Sequence, residues 1–284
     1  MVAVLPYGLH HAVVPDILEA GRPCLTEKPI AVRAETGRRL AEMAQSRGVV
    51  YQVGYMKRCD PGSRYAKQLI GEWRASGEHG RLRYVRVEMP PGNWTAGIGK
   101  PLSAGDAKAR YAGQLQEPVP EWMDPPTGKL YNAFINYYIH QVNLVRYLLG
   151  EDYTVRYADP SGVTFSATSE GGAAITLEMA AYHCRDHWEE AYTVWFEKGT
   201  VRLDLPAPTA RQHSGCVRIY RGAGEVTRFE EPVLEPRWSM QEQSRLFVAT
   251  VRGEGPNLSP AVEAVHDLET AEQYVRCLLA SREA

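Results

Sequence analysis

The chain has 284 residues, with 44% hydrophobic and 23% charged side chains and a formal net charge of -2. That composition fits a globular protein with one large core or two modest ones. It gives no electrostatic case for binding nucleic acid or an anionic membrane. No apolar run reaches the length needed to cross a bilayer. The first residues lack a basic stretch and Pro6 interrupts the early apolar run, so no signal peptide is expected. Five scattered cysteines with no CxxC pair suit free thiols in a reducing cytoplasm better than a disulfide framework or a zinc site.

In chain order, Val2 to Leu5 reads as a buried parallel strand, a continuous apolar run without alternation. A helix over Ala12 to Ala20 stops at Gly21, and Pro23 to Thr26 is a second short strand. A helix over Arg33 to Arg47 and a strand over Val49 to Gly54 complete a β-α-β-α-β alternation. Such an alternation predicts a parallel sheet with right-handed crossovers. An amphipathic helix over Ser63 to Ser76 and a strand over Leu82 to Met89 follow. From Pro90 to Gly128 the chain is irregular and rich in Gly and Pro, as a functional loop or lid would be. One helix is expected over Tyr131 to Leu149. Strands are expected over 153–158, 162–168, 173–182, 190–197, 200–205, 216–221 and 225–230. Helices over 238–252 and 260–281 close the chain. The change of pattern places a boundary near Tyr55 to Pro61.

Two stretches carry chemistry. Glu27-Lys28-Pro29 ends a strand and so sets an ammonium at the C-terminal edge of the sheet, where open α/β sheets bind ligands. On the tripeptide alone, a turn with surface charges is the simpler reading. Asn136, His140, Asn143 and Tyr147 fall at i, i+4, i+7 and i+11, one polar stripe if the helix is continuous. Polar groups there are costly unless they find partners or face a cavity. A histidine is a natural general base for an alcohol proton, and a hydrogen-bonded core histidine is the competing explanation. His183 to His187 gathers ligand-type residues in a turn, and no metal site is assigned to it. Trp94, Trp122, Tyr131, Tyr137 and Tyr138 could line a sugar cleft, or pack as core. Lys57 and Arg58 could bind an anionic group, or lie as surface charges at a crossover.

Taken together, these stretches resemble the Gfo/Idh/MocA superfamily, named for glucose–fructose oxidoreductase and inositol dehydrogenase. The resemblance rests on Pro6 and His10, on Glu27-Lys28-Pro29, and on the run from Gly54 to Pro61. It rests also on His140 followed by Arg146 to Gly150, on Trp188-Glu189, and on Lys198 to Val201. It implies a truncated parallel Rossmann-type sheet followed by a substrate domain with a large, mostly antiparallel open-faced sheet. The expected division is 1–56 for a partial dinucleotide-binding domain and 57–284 for a substrate-binding α/β domain.

The resemblance further implies an NAD(P)-dependent oxidoreductase acting on a sugar, sugar nucleotide or cyclitol. Lys28 would polarise the substrate oxygen and His140 would be the acid/base, with Asn136 beside them. Pro6, His10, Glu27, Lys28 and Pro29 would meet the cofactor. Asn143, Tyr137, Trp94 and Arg58 would meet the substrate. A homodimer or tetramer, or a partner over the Val2–Leu5 edge, would be the assembly.

Two departures stand out. Asn136 takes the place of the family's Asp, and an amide cannot act as a base. No Gly-x-Gly-x-x-Gly turn, nor the first βαβ unit that carries it, precedes Val2, and Gly97-Ile98-Gly99 does not replace it. Cofactor-independent proton transfer (an isomerase, epimerase, lyase or cyclase) and a non-catalytic subunit that docks on a full-length relative therefore remain as alternatives.

Overall fold

The computed structural model describes residues 1–89, 92, 94–95, 115–179 and 187–284. The chain forms two compact units, each assembled from separate stretches. The first comprises Met1–Tyr55, Gly99–Ile139 and Gln243–Ala271; the second comprises Met56–Ile98, His140–Glu242 and Glu272–Ala284.

In the first unit a three-stranded parallel sheet runs in the order β1 (Val2–Ala3), β2 (Cys24–Thr26), β3 (Tyr51–Val53). Helices α1 (His10–Glu19) and α2 (Ala34–Ser46) make the crossovers. Pro15 lies inside α1 without ending it. Val14, Leu18, Cys24, Ile30, Leu40, Val53 and Leu268 are fully enclosed and form the core. Burial of each large aliphatic side chain contributes about 1.5–3 kcal/mol. The first strand is shorter than its apolar run: only Val2 and Ala3 pair, and Val2 and Val4 are 61% and 71% exposed. Among the described residues no strand pairs with the outer edge of β1.

The second unit is built on an eight-stranded sheet. Its strands in chain order are β4 (Leu82–Glu88), β5 (Tyr153–Ala158), β6 (Thr164–Ser169), β7 (Ala174–Glu178), β8 (Ala191–Phe196), β9 (Gly199–Asp204), β10 (Cys216–Arg221) and β11 (Arg228–Glu230). Their spatial order is β11-β10-β9-β8-β4-β7-β6-β5. All neighbours are antiparallel except β4 and β7. Alternation sends Val85, Val87, Phe165, Ile175, Leu177, Val194, Val201, Leu203, Val217 and Ile219 to the buried face. Helix α3 (Pro61–Ser76) packs on β9 and β10, burying Ala66, Leu69, Ile70 and Trp73. Asp60 caps α3 by accepting from the Gly62 and Ser63 amides, with Pro61 at the first helical position. The same Asp60 oxygen accepts the Gly215 amide at 2.9 Å.

The helix expected over Tyr131 to Leu149 is two helices, α4 (Pro125–Tyr137) and α5 (Ile139–Leu149), broken at Tyr138. Asp124 caps α4 through the Thr127 amide, and Pro125 starts it. The polar stripe is therefore divided, with Asn136 on α4 and His140, Asn143 and Tyr147 on α5. Helices α6 (Ser239–Val251) and α7 (Ala261–Glu283) end the chain. No helix among the described residues is long and apolar enough to cross a membrane.

Candidate functional site

A cavity of about 650 Å³ opens in the first unit where the parallel strands end. After β1 the chain runs through Leu5 and Pro6 into a short 3-10 turn at Tyr7–Leu9. After β2 it runs into Glu27-Lys28-Pro29, where the Lys28–Pro29 bond is cis. Gly54, just past β3, donates its amide to the Thr26 carbonyl at 2.8 Å. A Cβ on Gly54 would stand 2.9 Å from that carbonyl oxygen and 3.3 Å from the Glu27 Cα. The backbone can therefore carry Glu27 past this point only because residue 54 has no side chain.

Pro6, Tyr7, Glu27, Lys28, Gln116, Glu117, Asn132 and Asn136 line the cavity. The Lys28 ammonium donates to the Asn136 backbone carbonyl, at the last turn of α4. Burial pushes the Glu27 carboxyl up from its ordinary range, against the bond from the Lys28 amide and the Lys28 charge. Glu117 is buried; its Oε2 accepts the Val32 amide at 2.7 Å, and its own amide donates to Gly8 at 2.9 Å. Tyr131, fully buried, donates its hydroxyl to the Val32 carbonyl at 2.8 Å, a core role rather than a sugar-cleft one.

The structure thus gathers Pro6, Glu27, Lys28 and Asn136 around one cavity, among the residues expected from the sequence. His10 is wholly enclosed, its Nδ1 at 3.1 Å from the Ile30 carbonyl, and burial lowers its pKa. It shapes the loop after Pro29 rather than lining the cavity. Tyr137 lies on α4 with its ring 4.9 Å from that of Tyr138.

The remaining expected residues belong to the second unit. His140 is the second residue of α5 and half-buried. Trp94 is 55% exposed, and its carbonyl accepts the Thr209 hydroxyl. Arg58 and Asn143 are buried and meet each other, with Arg58 Nε at 2.5 Å from Asn143 Oδ1. The Arg58 guanidinium also lies over the Tyr147 ring at 5.1 Å. Lys57 and Arg58 are therefore buried rather than surface charges.

Lys57 donates to Glu190 at 2.5 Å, and Gln141 and Tyr192 each donate to the same carboxylate at 2.7 Å. Burial pulls the Lys57 pKa down and Glu190 pulls it back up. Sequence reasoning missed this cluster. Its members lie up to 133 positions apart, and only the sheet brings them together.

A larger cavity in the second unit, about 760 Å³, is edged by Arg74, Arg81 and Arg83. Those arginines are already paired with Glu151 and Glu197. Its charges are matched, whereas the Lys28 cavity holds donors and acceptors suited to a ligand. The motif Gly97-Ile98-Gly99 and most of His183 to His187 lie outside the described residues. His187 itself is exposed beside Glu189. Among the described residues no group of three or more His, Cys, Asp or Glu is placed to hold a metal ion.

The described residues thus join, in one chain, a parallel strand–helix unit with a cavity at its strand ends and a unit with a large mixed sheet. A family model for an oxidoreductase family with an NAD-binding Rossmann fold matches residues 1–55. The first 55 residues thus match that family, the Gfo/Idh/MocA oxidoreductases.

Inositol 2-dehydrogenase 3 of Saccharopolyspora erythraea is 28% identical over 233 residues, 76% of this chain and 58% of that protein. An inositol 2-dehydrogenase of Corynebacterium glutamicum is 24% identical over 81% of this chain and 61% of its own length. The chain therefore spans about three-fifths of the curated relatives it matches. Among solved structures, the UDP-N-acetylglucosamine 3-dehydrogenase GnnA of Acidithiobacillus ferrooxidans aligns with a TM-score of 0.65 at 20% identity. It covers 99% of this chain and 78% of that one. KijD10, a 3-ketoreductase of Actinomadura kijaniata solved with TDP-benzene and NADP, aligns at 0.59 and 17% identity, over 95% of this chain and 74% of that one. Likeness at those identities speaks for the fold.

Proposed function

We propose that this chain handles the reacting end of a nicotinamide-dependent oxidoreduction on a polyhydroxylated ring, a sugar, sugar nucleotide or cyclitol. The observation that carries the reading is the Lys28 ammonium, set at the ends of β1 and β2 in a cavity of ligand size and bonded to the Asn136 carbonyl. His140 follows Asn136 by four residues in the chain. Lys28 orients and polarises the substrate oxygen, because an ammonium stabilises the alkoxide character that develops as the carbinol hydrogen leaves. His140 accepts the hydroxyl proton on oxidation and returns it on reduction. Asn136 contributes its backbone carbonyl, and its amide side chain can position a hydroxyl but cannot take the proton.

The cavity fits the ring end of a dinucleotide. It lies at the strand ends, it is large enough for a nucleoside, and a buried carboxylate oxygen of Glu117 has no protein partner there among the described residues. Pro6, Glu27 and Lys28 would hold that ring, whose chemistry is to accept or return a hydride. Inositol is the substrate named for the two curated relatives above, and cyclitols are accordingly the first substrates to try.

The test is a titration with NADH and NADPH followed by nicotinamide fluorescence, with turnover of myo-inositol measured beside it. Lys28→Ala and His140→Ala are each expected to lower turnover by about 10²–10³-fold. Full activity in both variants would remove the proposal. Lys28- and His140-dependent turnover of a substrate without any nucleotide would replace it with cofactor-independent proton transfer.

A further inference from the structure

We propose that Glu117 is a ligand-reading carboxylate of the Lys28 cavity, whose Oε1 accepts a hydrogen bond from a neutral O–H or N–H donor on the bound molecule. Glu117 lines the same cavity as Lys28 and is 8% exposed. Its two oxygens have different fates. Oε2 is committed to the Val32 amide at 2.7 Å, whereas Oε1 is buried and has no hydrogen-bond partner among the described residues. Leaving a buried acceptor unsatisfied costs about 1–3 kcal/mol, and more for a charged one. A polypeptide gains from such an arrangement when a ligand completes it.

The carboxylate is also held in place. The Glu117 amide is bonded to the Gly8 carbonyl, and the Val32 carbonyl on the far side takes the Tyr131 hydroxyl. An acceptor fixed at both ends needs little reorganisation when a donor arrives. The chemistry of the donor follows from the neighbours. Lys28 in the same cavity repels a cation, and a carboxylate repels an anion, so the partner of Oε1 is neutral. Two sources fit that description: a ring hydroxyl of a polyol, and the carboxamide of a nicotinamide. An ammonium that only donates and a carboxylate that only accepts read opposite ends of one ligand. No motif marks Glu117 in the sequence, because the residue that fixes its Oε2 lies 85 positions away.

This inference rests on the Lys28 cavity being a ligand site. The test uses the full chain and titrates myo-inositol, nicotinamide mononucleotide and nicotinic acid mononucleotide by saturation-transfer NMR. Glu117→Gln keeps an acceptor for the Val32 amide and puts an N–H₂ donor where Oε1 stood. A loss of about 10-fold or more in myo-inositol affinity assigns a hydroxyl. The same loss for nicotinamide mononucleotide, with improved binding of its nicotinic acid counterpart, assigns the carboxamide. Such an exchange of preference is not produced by a residue that merely supports the loop. Unchanged affinity for all three probes, with Lys28→Ala still weakening one of them, overturns the role of Glu117 alone. Binding of none of the probes by the wild-type chain, or no effect of Lys28→Ala, overturns the cavity reading and this inference with it. Should Glu117→Gln not fold, Glu117→Asp draws the carboxylate back by one methylene and must weaken the same probe.

Discussion

Lys28 and Lys57 make a direct comparison between the two units. Each follows a strand of the small sheet at short distance in the chain, and each has a carboxylate in its surroundings. Lys28 borders a cavity, reaches a backbone carbonyl and shares the cavity wall with Glu27 and Glu117. Lys57 is buried, and its ammonium is bonded to both oxygens of Glu190, which also accepts from Gln141 and Tyr192. The difference lies in what surrounds the charge. The carboxylate of Glu190 is filled by protein donors, so its bonding capacity belongs to the fold. The carboxylate of Glu117 is half-filled among the described residues, with Oε2 taken by the Val32 amide and Oε1 without a partner.

Substitutions can break this comparison, and the largest effect is expected at the filled site. Glu190→Ala strands a buried ammonium and should cost about 3–5 kcal/mol in urea unfolding, whereas Lys57→Met with Glu190→Gln, which keeps an acceptor for Gln141 and Tyr192, should cost less. A single-variant cost below about 1 kcal/mol would show that the pair is not consumed by stability. Asp60→Ala removes a helix cap and leaves the Gly215 amide without its acceptor. A loss of about 2 kcal/mol is expected in the same measurement.

A smaller effect concerns pH. His79 is fully buried, stacked on Trp73 at 3.7 Å, with Glu78 and Arg221 as its charged neighbours. Burial lowers its pKa, so the folded state binds fewer protons than the unfolded one below the ordinary histidine value. The stabilising effect of a neutral His79 is complete above about pH 6.5 and is lost progressively as pH falls from there toward the lowered folded-state value. His79→Phe keeps an aromatic stack and should flatten the fall in Tm between pH 7.5 and 5; an unchanged slope would remove His79 as its cause. Least affected should be the stability of Lys28→Ala, within about 0.5 kcal/mol of wild type, although its turnover falls steeply.

Much of the architecture was legible because periodicity is local. The strands at Tyr153–Ala158 and Cys216–Arg221 were placed to the residue, and the alternation of the other sheet strands gave their faces. The start of α4 was missed although Asp124-Pro125 is a readable cap signal. The break at Tyr138 had no such mark, since neither Gly nor Pro interrupts Asn136 to His140. At the cavity, Lys28 was legible because it ends a strand. Glu117 was not, because its meaning depends on Val32, and the bond between Arg58 and Asn143 was not, because it spans 85 positions.

The outward face of the large sheet carries a chain of contacts from Glu231 to Arg218, Asp204, Arg202, Glu88, Arg86 and Glu178. Arg202 and Arg218 are direct cross-strand partners, a repulsive pairing that Asp204 relieves by touching both. Each interior member of the row thus has opposite signs on either side. Reversing one sign sets two like charges against it, and reversing a neighbour as well only moves the mismatch along. Drift across this face should therefore favour neutral replacements and exchanges that preserve charge over inversions.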